Sequence, residues 1–316
     1  MAGNNLQAEW RSVKLPFGEW HYLTRHALNI VRLDANATNC QWRPVQVSLA
    51  ITSQCHKNCD FCYASSNPQG TSRFNLADIL NIVEIFDANN VFGITLGGGE
   101  PLLWHDAATG ANFYDLLAAL ANCKCDVSFT TAAFTTIDWA KIPQWIVPRL
   151  SLHHLTELPQ MLAELNRASK QWGQMPAINI LFRSNEVNST LQAAEQLAQA
   201  GVKDVLMLPL RPAGRASRMA AIPEAQEVQE LVTRFPIPQV KISACYAMPE
   251  CHTTYLGCGA GDWFIHLDGT NSLKSCSFSQ EAISLEQLDY QTILKLLQSV
   301  PRLPCHQRIV VEARTC

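Results

Sequence analysis

Three thiols in one short segment carry the first chemical signal in this chain. The stretch ITSQCHKNCDFCY (residues 51–63) sets Cys55, Cys59 and Cys62 at a CxxxCxxC spacing. Three thiolates in one tight loop can hold three irons of a cubane and leave the fourth iron without a protein ligand, and thiolates are the usual holders of iron–sulfur clusters. Structural zinc is the runner-up: it calls for four Cys or His ligands, often as two CxxC-type pairs, and His56 adjoins Cys55 too closely to close one tetrahedron. Six more of the twelve cysteines fall in the last 72 residues, at Cys245, Cys251, Cys258, Cys276, Cys305 and Cys316. Cys40, Cys123 and Cys125 remain, and they read as structural or surface thiols, since free cysteine behaves as a small hydrophobe.

The second motif is the glycine loop GGGEP at residues 97–101. Glycine lets a backbone or ligand approach closely, and Pro101 stiffens the exit. In isolation such residues make an ordinary turn. No GxGxxG follows the preceding strand, which argues against a dinucleotide fold.

Composition sets the context. The 316 residues are 47% apolar and 16% charged, enough for a sizeable core and unlike a disordered chain. A net charge of −3 gives no global basic field to draw nucleic acid or anionic membrane. The start, MAGNNLQAEWRSV, lacks a basic region followed by an apolar one, and no apolar run approaches the roughly 20 residues of a membrane span. A cytoplasmic location follows as the expectation. Thiols stay reduced there, so clustered cysteines point to metal ligation rather than to a disulfide framework.

These groups need elements to place them. Residues 1–44 have mixed periodicity, with a turn over Pro16–Trp20 and a strand or two after it. From Val45 a regular alternation begins. Apolar strands are expected at VQVSLAI, Phe92–Leu96, Asp126–Thr131, Arg149–His153, Ala177–Arg183 and Asp204–Leu210. Helices are expected near Asn75–Asn89, Phe113–Ala121, Trp139 (a short one), Leu158–Gln171, Leu191–Gln199 and Ala225–Arg234. Six strands alternating with helices predict an α/β fold with a parallel sheet, a partial (β/α)6 barrel rather than a full eight-stranded one. In such folds ligands bind at the C-terminal ends of the strands, where the cysteine loop, GGGEP and Arg183 all fall. The paired His153-His154 reads as a strand-end feature, because strand neighbours point to opposite faces. The expected divisions are an N-terminal extension (1–44), the partial barrel (45–236) and a small C-terminal unit (237–316) opening after RPAGRASR (211–218) and one helix.

Together the two motifs, in this order and spacing on a βα pattern, resemble the radical S-adenosylmethionine (SAM) superfamily over about residues 45–215. The resemblance implies that Cys55, Cys59 and Cys62 hold a [4Fe–4S] cluster whose open iron takes the amine and carboxylate of SAM. It implies Phe61 beside the adenine, and Gly98, Gly99, Glu100 and Pro101 receiving the methionine amine through backbone carbonyls and the carboxylate. Ser151 and Arg183 stand where members often place polar groups near carboxylate and ribose, and the planar fork of arginine suits a carboxylate. Many members have Asn-Gly after the third strand; this chain has Thr130-Thr131-Ala132-Ala133, so nothing is carried over there. The implied chemistry is reductive cleavage of SAM to a 5′-deoxyadenosyl radical that takes a hydrogen atom from the substrate.

In the C-terminal unit, Cys258, a strand, the Asp268-Gly269 turn and Cys276 on the returning segment read as a hairpin. This is similar to the twitch domain, the shortened form of the SPASM extension, and implies one auxiliary [4Fe–4S] cluster. Cys258 and Cys276 form the core of its ligand set; Cys251 or Cys245 upstream and Cys305 and Cys316 downstream are candidates for the rest. Cys245, in QVKISAC, best fits a buried structural thiol.

Proteins of this layout commonly act on peptides, so a ribosomally made precursor peptide is the expected substrate, in RiPP maturation. The splicease type, which excises a tyramine unit and leaves an α-keto-β-amino acid, is one such maturase. The 44 residues before the first barrel strand are too few for a winged-helix leader-binding module, so a separate leader-recognition protein is expected, along with an external electron donor. The alternatives are a twitch-type dehydrogenase of a small molecule, and a non-catalytic iron–sulfur electron carrier or zinc-stabilised binding protein.

Overall fold

The computed structural model of the chain describes residues 8–34, 37, 40–72, 74–234, 240–242 and 258–301. Strands β1 (Trp10–Leu15), β2 (Gly18–Leu23) and β3 (Leu28–Leu33) form a small antiparallel sheet. The expected turn over Pro16–Trp20 is tighter: β2 already begins at Gly18, so Trp20 is a strand residue. Val13, Leu15, Trp20 and Tyr22 alternate with more exposed neighbours and pack on Val45 and Phe92. Trp20 meets Phe92 and Trp263 edge-on, with ring centroids at 5.6 and 5.2 Å. The Tyr22 hydroxyl donates to Asp126 at 2.6 Å.

Among the described residues the main sheet has ten strands. Its centre is the expected six, β4 (Gln46–Thr52), β5 (Gly93–Gly98), β6 (Asp126–Thr131), β7 (Val147–Leu152), β8 (Ala177–Phe182) and β9 (Val205–Pro209), all parallel in sequence order. Two further parallel strands flank them: β10 (Val240–Ile242) beside β9, and β11 (Phe264–Asp268) beside β4. The strands β12 (Ser272–Lys274) and β13 (Ile283–Ser284) complete the β11 edge in antiparallel fashion. The sheet therefore runs on past residue 236. Ile265 and Leu267 are buried in the same core as Val47 and Leu49, which is why β11 continues the sheet instead of starting a separate one.

Helices α1 (Leu76–Ala88), α2 (Phe113–Ala119), α3 (Leu158–Gln171), α4 (Val187–Gln199) and α5 (Ala225–Arg234) connect the strands, and α6 (Tyr290–Leu297) follows β13. The first two start at capping boxes, Asn75 with Asp78 and Asn112 with Asp115, so their opening N–H groups are satisfied by side chains. Two expected helices differ: α4 starts at Val187, and the one near Trp139 is a single 3-10 turn, Trp139–Lys141. Cys123 and Cys125 are buried, with sulfurs 2.9 Å apart, beside Asp87. That carboxylate is already taken by the Arg11 guanidinium at 2.5 Å and by the N–H groups of Lys124 and Cys125. The knot ties β1 to the end of α1. Among the described residues no helix is long and apolar enough to cross a membrane.

Trp20 bolts the small sheet to the main sheet, so Trp20→Ala is expected to lower stability by about 3–5 kcal/mol in urea unfolding. A loss below about 1 kcal/mol would mean that this sheet lies outside the cooperative core.

Candidate functional site

The loop after β4 holds the three clustered cysteines, each half-buried. Two residues in it, Asn58 and Ser65, adopt left-handed backbone conformations, with φ of 44° and 52°. Burial pushes the Cys55 and Cys59 thiols up, and for Cys59 the neighbouring Cys55 and Cys62 push the same way. Without a cation these thiols resist ionising together; a bound metal reverses that balance. Among the described residues the one trio of metal-type donors whose atoms all lie within 4.8 Å is Asp87, Cys123 and Cys125. The loop thiols are therefore spread wider than the ligands of a single tetrahedral ion, whose sulfurs stand about 3.8 Å apart.

The glycine loop leaves β5 directly alongside. Gly99 N–H donates to Thr52 O at 2.6 Å and Glu100 N–H to Gln54 O at 2.8 Å, so the two loops are joined backbone to backbone. Gly98 has φ of 106°, and a Cβ there would stand 2.3 Å from Thr52 O; one at Gly99 would stand 2.2 Å from Gln54 O. The glycines thus serve the approach of the cysteine loop itself. Glu100 is 2% exposed, and its carboxylate accepts from Thr131 Oγ1 at 2.6 Å and from the N–H groups of Leu102, Ala132 and Ala133. Thr131, Ala132 and Ala133, from which sequence reasoning carried nothing over, are its partners. Of the groups expected to receive an amine, Glu100's side chain is committed to the protein, which leaves that role to backbone carbonyls of the loop. Pro101 is buried and opens the 3-10 turn after it.

Beyond β7 and β8 lies an aromatic and cationic group. The Arg183 guanidinium stands 4.9 Å from the centroid of the Phe61 ring and donates to His153 O at 2.7 Å. Its other terminal nitrogen, Nη2, is buried with no protein partner. The rings of His153 and His154 both meet Phe61 edge-on, at 5.1 and 5.8 Å. His153 Nδ1 lies 4.0 Å from Cys59 Sγ. Burial and the charge of Lys57 bring His153 down to about 4, so it is neutral near pH 7. Ser151 is buried on β7; Leu150 and Leu152 join the outer core, so by strand alternation Ser151 faces the inner side of the sheet.

The same alternation places Ala50 and Thr52 of β4, and His266 and Asp268 of β11, on the inner face. Between that face and the tail of the cysteine loop is a cavity of about 330 Å³, lined among others by Tyr63, Gly98, His266, Asp268 and Lys274. Lys274 pairs with Asp268 at 3.1 Å. His266 Nδ1 is 3.1 Å from Ser48 Oγ, and burial pulls this histidine down to about 4. The expected hairpin is present as β11–β12, with Cys276 buried just past it and Cys258 half-buried before it. Tyr63 spans towards this region: its ring meets Phe278 at 5.1 Å, and burial together with Cys62 and Cys276 pushes its hydroxyl up to about 12. Cys245, Cys251, Cys305 and Cys316 lie outside the described residues.

A sequence-family profile described as the Radical SAM superfamily matches residues 49–211. No curated protein matches the chain. Among solved structures, the fold is similar to that of Streptococcus suis SuiB bound to S-adenosylmethionine, with a TM-score of 0.69 at 14% identity, covering 88% of this chain and 85% of that one. The crystal structure of SuiB bound to precursor peptide SuiA also has a TM-score of 0.69, at 13% identity over 91% and 87% of the two chains. Native anSMEcpe with bound AdoMet and Kp18Cys peptide has a TM-score of 0.58 at 13% identity, over 79% and 80%.

His266 gives the inner face a pH signature. Its folded value of about 4 lies below the ordinary 6.5. The unfolded chain binds a proton in that window that the folded chain refuses, so stability falls as pH drops through it, by about 3 kcal/mol at full extent. His266→Gln is expected to remove this slope between neutral and acidic unfolding curves. Wild-type and variant curves that stay parallel would contradict it.

Proposed function

Because the chain belongs to the radical SAM superfamily, whose members use a [4Fe–4S] cluster with SAM, we propose that it is a peptide-modifying radical SAM enzyme with its cluster on Cys55, Cys59 and Cys62. The observation that carries the site assignment is the joining of the cysteine loop to the Gly98–Glu100 loop by paired backbone bonds at the ends of β4 and β5. A cluster held by Cys55, Cys59 and Cys62 would supply the single electron for cleaving SAM into methionine and a 5′-deoxyadenosyl radical able to take hydrogen from the substrate. Around it the chain's own groups hold and orient. Backbone carbonyls of the glycine loop are offered to the methionine amine. Arg183, with its unpartnered Nη2, is offered to the carboxylate or ribose. Ser151 and Phe61 complete the inner wall.

Peptide chemistry is supported by the fold shared with SuiB and anSMEcpe, whose structures hold a precursor peptide and a Kp18Cys peptide. The cavity beside Tyr63 is the space we assign to the reacting residue, since about 300–1,000 Å³ is usual for such sites. We further assign one auxiliary [4Fe–4S] cluster to a twitch-like C-terminal segment built on Cys258 and Cys276, with Cys251, Cys305 and Cys316 as candidates for its other ligands. A separate leader-recognition protein and an external electron donor complete the system, and the splicease is the maturation type we favour.

Anaerobic reconstitution with iron and sulfide, then dithionite and SAM, is expected to release 5′-deoxyadenosine. Cys55→Ala is expected to abolish it, and persistent release from that variant would sink the site assignment. Cys258→Ala/Cys276→Ala is expected to lower bound iron by about four per chain; unchanged iron would remove the auxiliary cluster. Co-expression with a short precursor encoded nearby reads the product by mass: loss of a tyramine unit identifies a splicease, and loss of hydrogen alone a cross-link or dehydrogenation.

A further inference from the structure

The segment RPAGRASR after β9 has no part in the chemistry described so far, yet it reaches the cysteine loop. Arg215 Nε donates to Cys59 O at 2.6 Å, and its Nη2 donates to Ser66 O at 2.9 Å. Its own backbone N–H donates to Cys62 O at 3.0 Å. One residue therefore grips the loop at three carbonyls, two of them through a single guanidinium.

The choice of carbonyls is informative. Cys59 follows Asn58, and Ser66 follows Ser65, the two left-handed residues of the loop. Left-handed backbone is disfavoured for residues with a Cβ and persists where its surroundings hold it. The two internal bonds that span Cys59 to Ser65 are long: Cys62 N–H to Cys59 O and Ser65 N–H to Cys62 O are both 3.3 Å. Arg215 bonds directly beyond each strained residue, where it opposes relaxation of both turns. Gly214 permits the approach. It has φ of 56°, and a Cβ there would stand 2.2 Å from Tyr63 O and 2.5 Å from Cys62 O. Ala216, fully buried, packs with Phe61 and Leu210 on the same side.

We infer that Arg215 is the positioning residue of the cluster loop: it sets the arrangement of the Cys55, Cys59 and Cys62 thiols by clamping the loop across the open side of the partial barrel, from β9 back to β4. The inference rests on the reading of that loop as the cluster site. A planar fork suits it, since lysine is a point charge and cannot span two carbonyls in one fixed plane.

The test compares wild type with Arg215→Gln, Arg215→Lys and Arg218→Gln, the last an exposed guanidinium of the same turn. All four are reconstituted anaerobically with iron and sulfide. Bound iron, the EPR spectrum of the dithionite-reduced cluster with and without SAM, and the rate of bleaching by an iron chelator are read, with circular dichroism and thermal melting as the check on folding. Arg215→Gln is expected to bleach about 10–100-fold faster, as loss of a partner behind metal ligands does, and to show an altered EPR line shape at wild-type helix content. Arg215→Lys is expected to fall between, and Arg218→Gln to match wild type. Equal bleaching and spectra for wild type and Arg215→Gln would overturn the clamp. A lysine variant equal to wild type would overturn the two-carbonyl grip. Wild type that binds no cluster would instead overturn the reading beneath it.

Discussion

A carboxylate buried at the mouth of the sheet is the constraint on which the site depends. Glu100 takes four donors, two of them from the turn after β6, while its own N–H holds the chain entering the cysteine loop. Burial pushes its carboxyl above the ordinary range, and the four bonds pull it back without cancelling that push. A buried acid in that balance is tolerated only where its bonds do something specific, because leaving such a group unpaired costs several times what each bond contributes. Here the bonds set β4, β5 and β6 in one register at their C-terminal ends. Every other feature of the site is hung on those ends or on the strands beyond them.

Two guanidiniums flank the cysteine loop, and they divide the work. The side-chain bonds of Arg215 go to Cys59 and Ser66 carbonyls, so its role is internal to the loop. Arg183 gives one nitrogen to His153 O, lies over Phe61, and keeps Nη2 buried without a partner. An arginine satisfied by backbone is a brace; Arg183 keeps one donor uncommitted, and our assignment of it to SAM draws on that spare donor. Neutral His153 between Arg183 and Cys59 adds no positive charge to a corner that already holds Lys57 and Arg183.

The sheet's centre was legible because each of β4 to β9 keeps buried apolar residues at alternate positions or in a run, and helical patterns separate them. The glycine and cysteine loops were legible because unusual residues cluster there. What escaped notice has no periodicity. Glu100 meets Thr131 across 31 positions and Arg215 meets Cys59 across 156, and neither bond leaves a trace in local spacing. The histidines escaped for a different reason. Alternation argued that His153 and His154 face opposite ways, but β7 ends at Leu152, so both lie beyond the pleat and both rings reach Phe61. At a strand's C-terminal end the rule of alternation stops where the site begins. The strand before the Asp268-Gly269 turn was legible, but that β10 and β11 join the main sheet beside β9 and β4 was not, because pairing partners leave no mark in local spacing.

The placement of β11 has a chemical consequence. By pairing with β4 in parallel register, Gln46 to Leu49 against Phe264 to Leu267, it sets the β11–β12 hairpin beside the strand that delivers the cysteine loop. Cys276 follows that hairpin, and Tyr63 follows Cys62, so the two thiols act on one phenol from opposite ends of the sequence. With Phe278 against its ring, Tyr63 is the packing element between the two cysteine regions. The cavity opens along the same seam, with Tyr63 and Gly98 on one side and Asp268 and Lys274 on the other. A reacting residue seated there would touch both the loop that we assign to radical generation and the segment that carries Cys276, because one sheet edge supplies both walls.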